Sequence, residues 1–310
     1  MTVCVAAICG TGAAFGASDR MLTAGDVKFE PTQGKIWYLT NSIAAMIAGD
    51  SAIQTEILQG VYKDLMARIK AEPGNWWMVK DVAELYSHYY RELRTKRTER
   101  AILSPLGLNA NTFISRQREM ADSLVKYVAT ELINFQAPDV ATIFVGADPE
   151  GVHIYVTQNA DIECFDNVGF AAIGVGRWHA SSQFMFAQHD KLKPFPETLL
   201  LTYAAKKRAE VSPGVGQGTD MFTVGPAVGS LTAIVPDVVN ELEKMYQATR
   251  SREKRASSKA NREVNKYVEN LIRAATAQEQ EVKPKDGAGN PPSDDKENVR
   301  DGAKEGQPEN

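Results

Sequence analysis

Apolar residues recur along the chain with two different periods, and the alternation between them predicts the elements. Thr2–Ile8 is an apolar, partly β-branched run. Gly10-Thr11-Gly12 makes a tight connection and Ala13–Ser18 returns as a second strand, which predicts an N-terminal hairpin. Its small side chains suit close packing between two sheets. Lys35–Leu39 and Ile43–Ala48 flank the polar turn Thr40-Asn41-Ser42 and predict another strand pair. At Ser51 the period changes. Ile53, Ile57, Leu58, Val61, Leu65 and Ile69 fall at helical spacing, and Pro73-Gly74 stops the helix. Asp81 reads as the N-cap of a second helix that carries Val82, Leu85, Tyr86 and Tyr89.

Charge dominates residues 91–122, Ser104-Pro105-Leu106-Gly107 breaks the pattern, and Asn111–Leu132 reads as one further helix. Strand signals return at Val140–Gly146 and Val152–Thr157, around the turn Ala147-Asp148-Pro149-Glu150-Gly151. Phe170–Gly176 leads into a helix over Trp178–Gln188. A further helix covers Glu197–Arg208 with Pro196 at its start, and Met221–Val224 is a last strand. Strands, two helices, strands, two helices and a strand follow one another in sequence blocks. Helical layers outside a pair of packed sheets satisfy that order, giving the α+β class and a four-layer αββα sandwich. The domain then covers 1–236, with 91–135 a helical segment that the resemblance given below marks as an insertion. A helical extension follows over 237–277, its apolar repeat too short for a coiled coil. Residues 278–310, rich in Pro, Gly and charge and without an aromatic, read as a disordered tail.

Composition narrows the function. The chain has 310 residues, 43% of them hydrophobic, enough for a sizeable core. A net charge of −4 argues against general nucleic-acid affinity. The basic run Arg91–Arg97 has acids interleaved and reads as a solvated helix end. No apolar run is long enough to span a membrane, and the N-terminus lacks the basic-then-apolar signature of a signal peptide, so a cytoplasmic location is expected. Cys4, Cys9 and Cys164 form no disulfide framework, and Cys4 reads as a small core residue. His88, His153, His179 and His189 show no ligand spacing, so no metal site is expected. Gly10-Thr11-Gly12 lacks the remainder of a phosphate loop, and no cofactor is inferred.

Candidate chemistry begins at the N-terminus. Thr2 lies behind a single Met, and aminopeptidases readily clip Met before a small side chain. Removing Met1 leaves a hydroxyl beside a free α-amine that titrates at about 7.7–8.0 and can take the hydroxyl proton. The mature chain is therefore expected to begin at Thr2. Behind it come Gly16-Ala17-Ser18-Asp19-Arg20, Thr23-Ala24-Gly25, Gly34-Lys35-Ile36 and Ile47-Ala48-Gly49-Asp50-Ser51-Ala52. This pattern resembles the β-type subunits of the proteasome and the HslV-type peptidase, which are N-terminal-nucleophile hydrolases. The spacing of 16 residues from Asp19 to Lys35 and of 14 from Lys35 to Gly49 agrees with that family. Thr2 to Asp19 is one residue longer, which the Cys9–Gly12 hairpin absorbs. The likeness is strongest over 2–60 and weaker over 139–226.

The resemblance implies the same αββα sandwich and a set of roles. Thr2 Oγ attacks the scissile carbonyl and its α-amine acts as base. Lys35 lowers the pKa of that amine, Asp19 holds Lys35, and the Gly49 N–H stabilises the oxyanion. Glu210, in Glu210-Val211-Ser212-Pro213-Gly214, takes the place of the family's supporting Asp; Pro213 falls where its Ser belongs, and Ser212 is the available substitute. Val175, in Gly174-Val175-Gly176, stands at another Ser position and brings no hydroxyl. Thr23 matches the position that pairs with an extended substrate backbone. Leu22, Ile47 and Ser51 line the specificity pocket, and their lack of charge implies cleavage after medium-sized apolar residues.

A threonine-type peptidase acting on peptide or unfolded protein within a homo-oligomeric ring is the leading expectation. Whether an ATPase partner exists is left open. An amidase acting on a small amide, and a non-catalytic ring or scaffold subunit with a vestigial site, are the alternatives.

Overall fold

The computed structural model describes residues 2–24, 27–31 and 34–281. Its strands are β1 (Val3–Cys9), β2 (Ala13–Asp19), β3 (Leu22–Ala24), β4 (Val27–Phe29), β5 (Ile36–Tyr38), β6 (Ile43–Gly49), β7 (Val140–Asp148), β8 (Gly151–Gln158), β9 (Asp161–Cys164), β10 (Phe170–Gly174), β11 (Thr219–Val224) and β12 (Thr232–Ala233). The α-helices are α1 (Ser51–Ala71), α2 (Val79–Thr98), α3 (Ala110–Ser115), α4 (Asp122–Asn134), α5 (Arg177–Phe186), α6 (Phe195–Ala209) and α7 (Pro236–Glu281). The protein is mixed α+β with two antiparallel five-stranded sheets, ordered β10-β1-β2-β11-β12 and β5-β6-β7-β8-β9. A separate β3–β4 hairpin accompanies them.

Alternation along β1 explains the packing. Cys4, Ala6 and Ile8 share one apolar cluster with Met46, Ile143 and Val145 of the second sheet. Their neighbours Val3, Val5 and Ala7 join Phe184 of α5, Tyr203 and Ala205 of α6 and Leu242 of α7. On the second sheet Ile43, Ala45 and Phe144 pack with Ile57, Val61 and Leu65 of α1 and with Val82 and Tyr86 of α2. Both faces of β1 and β2 are therefore covered, and all seven residues of each strand are buried. Small residues in β2 make room for large ones: a Cβ at Gly16 would lie 2.2 Å from the Phe222 ring. Each large aliphatic or aromatic side chain sealed in this way contributes about 1.5–3 kcal/mol.

Several predicted boundaries shift. α2 begins at Val79, with Asp81 in its first turn instead of at the cap. The Val79 N–H is satisfied by Asp148 Oδ2 at 3.0 Å, from the far end of β7. The single helix expected over 111–132 is two, because the apolar period lapses across Arg116–Glu119 and Ala121 is extended. An Asn109–Thr112 capping box starts the first of them. Leu103, Phe113 and Val128 form a small apolar cluster of their own within the segment expected to be an insertion.

Two compact units are present, Met1–Thr249 and one beginning at Arg250. The boundary lies after the expected 236 because Val239, Leu242 and Tyr246 pack into the first unit's core. In the second unit, residues 250–277 are helical and exposed. Helix persists four residues past the expected end at 277, through helix-compatible Gln278-Glu279-Gln280-Glu281. The rest of the expected tail, 282–310, lies outside the described residues, as does Met1. No described helix is long and apolar enough to cross a membrane.

Candidate active site

Adjacent strands β1 and β2 bring their open ends together opposite the turn. Cys4 pairs with Ser18, so Thr2 and Val3 stand beside Asp19. Thr219 of β11 pairs with Asp19 from the other side. The result is a carboxylate with no exposed surface, a threonine 4% exposed and a lysine, Lys35, 5% exposed.

Asp19 organises this cluster. Its Oδ1 accepts the Thr2 hydroxyl at 2.6 Å, the Lys35 ammonium at 2.7 Å and the Val3 N–H at 2.9 Å. Its Oδ2 accepts the Gly216 N–H at 2.9 Å and the Met21 N–H at 3.1 Å. Five donors from the described residues on one buried carboxylate offset the cost of taking the charge out of water. Arg20, the neighbour of Asp19, turns away and pairs with Asp220. The sequence Asp-Arg thus splits into a buried arm and a surface arm.

The Thr2 carbonyl is held from the opposite side. Gly176, the N-cap of α5, donates its N–H to Thr2 O at 3.3 Å. Gly174 sits at φ +87, and a Cβ there would lie 2.3 Å from the same oxygen. Val175 between them is about half exposed and adds no polar group.

Gly49 ends β6 with φ +101, where a Cβ would stand 2.2 Å from Asp139 O. Only glycine fits this turn. Asp50 then caps α1 by accepting from Ala52 and Ile53 N–H groups. Buried Gln54 braces the turn from behind. Its Nε2 donates to Ala48 O and Ala141 O, while its Oε1 accepts from Tyr86 Oη and Thr142 Oγ1. All four of its hydrogen bonds are made.

Of the other expected positions, Ile47 donates its N–H to Lys35 O at 3.1 Å and accepts from Cys4 Sγ at 3.4 Å. Leu22 and Thr23 lie in β3, paired with Phe29 and Lys28. Leu22 is half-buried, and the Thr23 side chain lies outside the described residues. Ser51 opens α1 and is exposed. Glu210 is engaged elsewhere, with Lys206 at 2.6 Å and Lys207 at 2.9 Å. Burial pushes the Cys4 thiol up, against a smaller opposing pull from Lys35, so Cys4 is a core thiol and offers no thiolate. No group of three His, Cys, Asp or Glu among the described residues is arranged to hold a metal ion.

Gln54, Lys206 and Gly216 are part of this architecture and escaped the sequence reading. Gln54 and Lys206 fall on the buried faces of α1 and α6. A polar residue at core spacing was the available signal. A hydroxyl, a carboxylate and an ammonium in one buried cluster can activate an oxygen nucleophile and hold the charge that develops. No protein-family model matches the chain, and no curated protein matches it.

Proposed function

We propose that this chain is a threonine-type peptidase of the proteasome β and HslV kind, with Thr2 as its nucleophile once Met1 is removed. The single observation that carries this reading is the convergence of Thr2 Oγ1 and Lys35 Nζ on Asp19 Oδ1, at 2.6 and 2.7 Å. Asp19 orients the hydroxyl and fixes the ammonium, and the freed α-amine takes the hydroxyl proton as the oxygen attacks. Lys35 keeps that amine unprotonated near neutrality. The Gly49 N–H, at a turn fixed by its positive φ, serves the oxyanion. Two sheets with a shared apolar interior and helices on their outer faces support the four-layer αββα sandwich. The enzyme works in a homo-oligomeric, cytoplasmic assembly on peptide or unfolded protein. It prefers apolar residues at the scissile position, through Leu22, Ile47 and Ser51.

The test is incubation of the full-length chain with a peptidyl vinyl sulfone, followed by intact mass and adduct mapping. A single adduct on Thr2 Oγ of a chain lacking Met1 is expected. Retained Met1 without an adduct removes the reading and favours the scaffold. The same apparatus serves a second reading, an amidase acting on a small amide. Hydrolysis of small amides with silence across a peptide panel selects it.

A further inference from the structure

Lys206 is a lysine with no exposed surface, on the inner face of α6. Burying an ammonium is expensive unless its donors are satisfied, and this one spends all three. Nζ donates to Glu210 Oε1 at 2.6 Å, to Gln217 O at 2.9 Å and to Gly216 O at 3.0 Å. The first bond only neutralises charge. The other two grip the backbone of the segment that supplies Asp19 with one of its donors, the Gly216 N–H. That segment is closed in from the other side as well. A Cβ on Gly216 would lie 2.4 Å from Glu30 Oε1 and 2.8 Å from Met21 Cβ.

We infer that Lys206 is a positioning residue for the candidate site: by clamping the Gly216 and Gln217 carbonyls it holds the Gly216 N–H on Asp19, and through Asp19 it sets where the Thr2 hydroxyl points. It touches neither Thr2 nor substrate. Glu210, expected to act beside the nucleophile, instead serves as the counter-charge that lets Lys206 be buried, together with Lys207. Charged groups facing Lys206 are Glu210, Lys207 and Asp19. Burial depresses the lysine's pKa and Glu210 opposes that, in keeping with its enclosed setting.

Lys206→Met keeps the length of the side chain and removes the donors, while Glu210 keeps Lys207 as its partner. Two measurements on the full-length chain decide the inference. Amide hydrogen exchange is expected to quicken at Gly216 and Gln217 with other elements unchanged. Vinyl sulfone addition to Thr2 is expected to slow at least about tenfold, one lost charge-assisted contact's worth. The pH midpoint of that addition should move upward. Asp19, stripped of a donor, presents more uncompensated negative charge to the Thr2 amine, which holds its proton to higher pH. Wild-type exchange at Gly216 overturns the inference, and so does an unchanged rate and midpoint. The addition arm rests on the peptidase reading and the exchange arm does not, so a wild type that never reacts removes only that reading. If Lys206→Met fails to fold, Lys206→Met with Glu210→Gln relieves the uncompensated charge and carries the same two measurements.

Discussion

Gly174 and Thr2 are in contact at a distance that excludes any side chain: a Cβ on Gly174 would lie 2.3 Å from Thr2 O and 2.7 Å from Thr2 Cγ2. Gly174 also holds φ +87, a conformation that costs other residues about 1–3 kcal/mol. Gly174→Ala therefore pushes Thr2 off Asp19. The melting temperature should fall, and vinyl sulfone addition to Thr2 should be lost even at temperatures where the variant is folded. Unchanged addition kinetics would show that Thr2 tolerates displacement.

Lys35 donates to Asp19 in a buried pair that surface screening does not weaken. Lys35→Ala should lower Thr2 reactivity by orders of magnitude while the elution volume in size-exclusion chromatography stays unchanged. Lys35→Arg should not restore it, because the larger planar guanidinium does not fit the buried place of the ammonium on Asp19 Oδ1. A reactive Lys35→Ala chain assigns the ion pair to structure alone.

Gln54→Leu leaves the Ala48 and Ala141 carbonyls and the Tyr86 and Thr142 hydroxyls short of a buried partner. A loss of about 2–4 kcal/mol is expected in urea unfolding. Tyr86→Phe removes one of those bonds and should cost about 1 kcal/mol. Equal losses in the two variants would mean that the amide is not the hub.

Two histidines give stability opposite pH slopes. Burial holds His189 below the ordinary imidazole range, so the unfolded chain takes up a proton that the folded chain resists. Its contribution falls as pH drops below about 6.5. The hydrogen bond to Asp166 raises His153, against the opposing effect of burial. That contribution is complete below about 6.5 and is lost as pH climbs through the raised folded value. Thermal melts from pH 5 to 8 should show His189→Phe flattening the acid limb and His153→Gln flattening the alkaline one. The reverse assignment would contradict both directions.

Sequence periodicity was enough for the larger elements. The N-terminal hairpin, α1, β6, β7, β8 and α6 fall within a few residues of their predicted spans, because each carries its own apolar pattern and turn residues. It was not enough for β9 and β12, four and two residues long, which are strands only because β8 and β11 offer them free edges. The start of α2 depended likewise on Asp148, 69 residues away.

The candidate site divides along the same line. Thr2, Asp19, Lys35 and Gly49 were legible because they lie within one stretch of sequence whose spacing carries a pattern. The meeting of Thr2 and Lys35 on one oxygen of Asp19 was not. The β1–β2 register sets Thr2 against Asp19, and a one-residue slip would turn Asp19 to the other face of the sheet. Glu210 was expected to support the Thr2 amine; its bonding to Lys206 and Lys207 instead follows from the i, i+4 and i, i+3 geometry of one helix end. Lys206 and Gly216 sit 187 and 197 residues beyond Asp19 in the chain. Sequence determines which side chains can be buried and which elements they sit on. Only tertiary packing brings distant backbone donors onto one carboxylate, because such a hydrogen bond requires atoms within about 3 Å and separation along the chain carries no record of that distance.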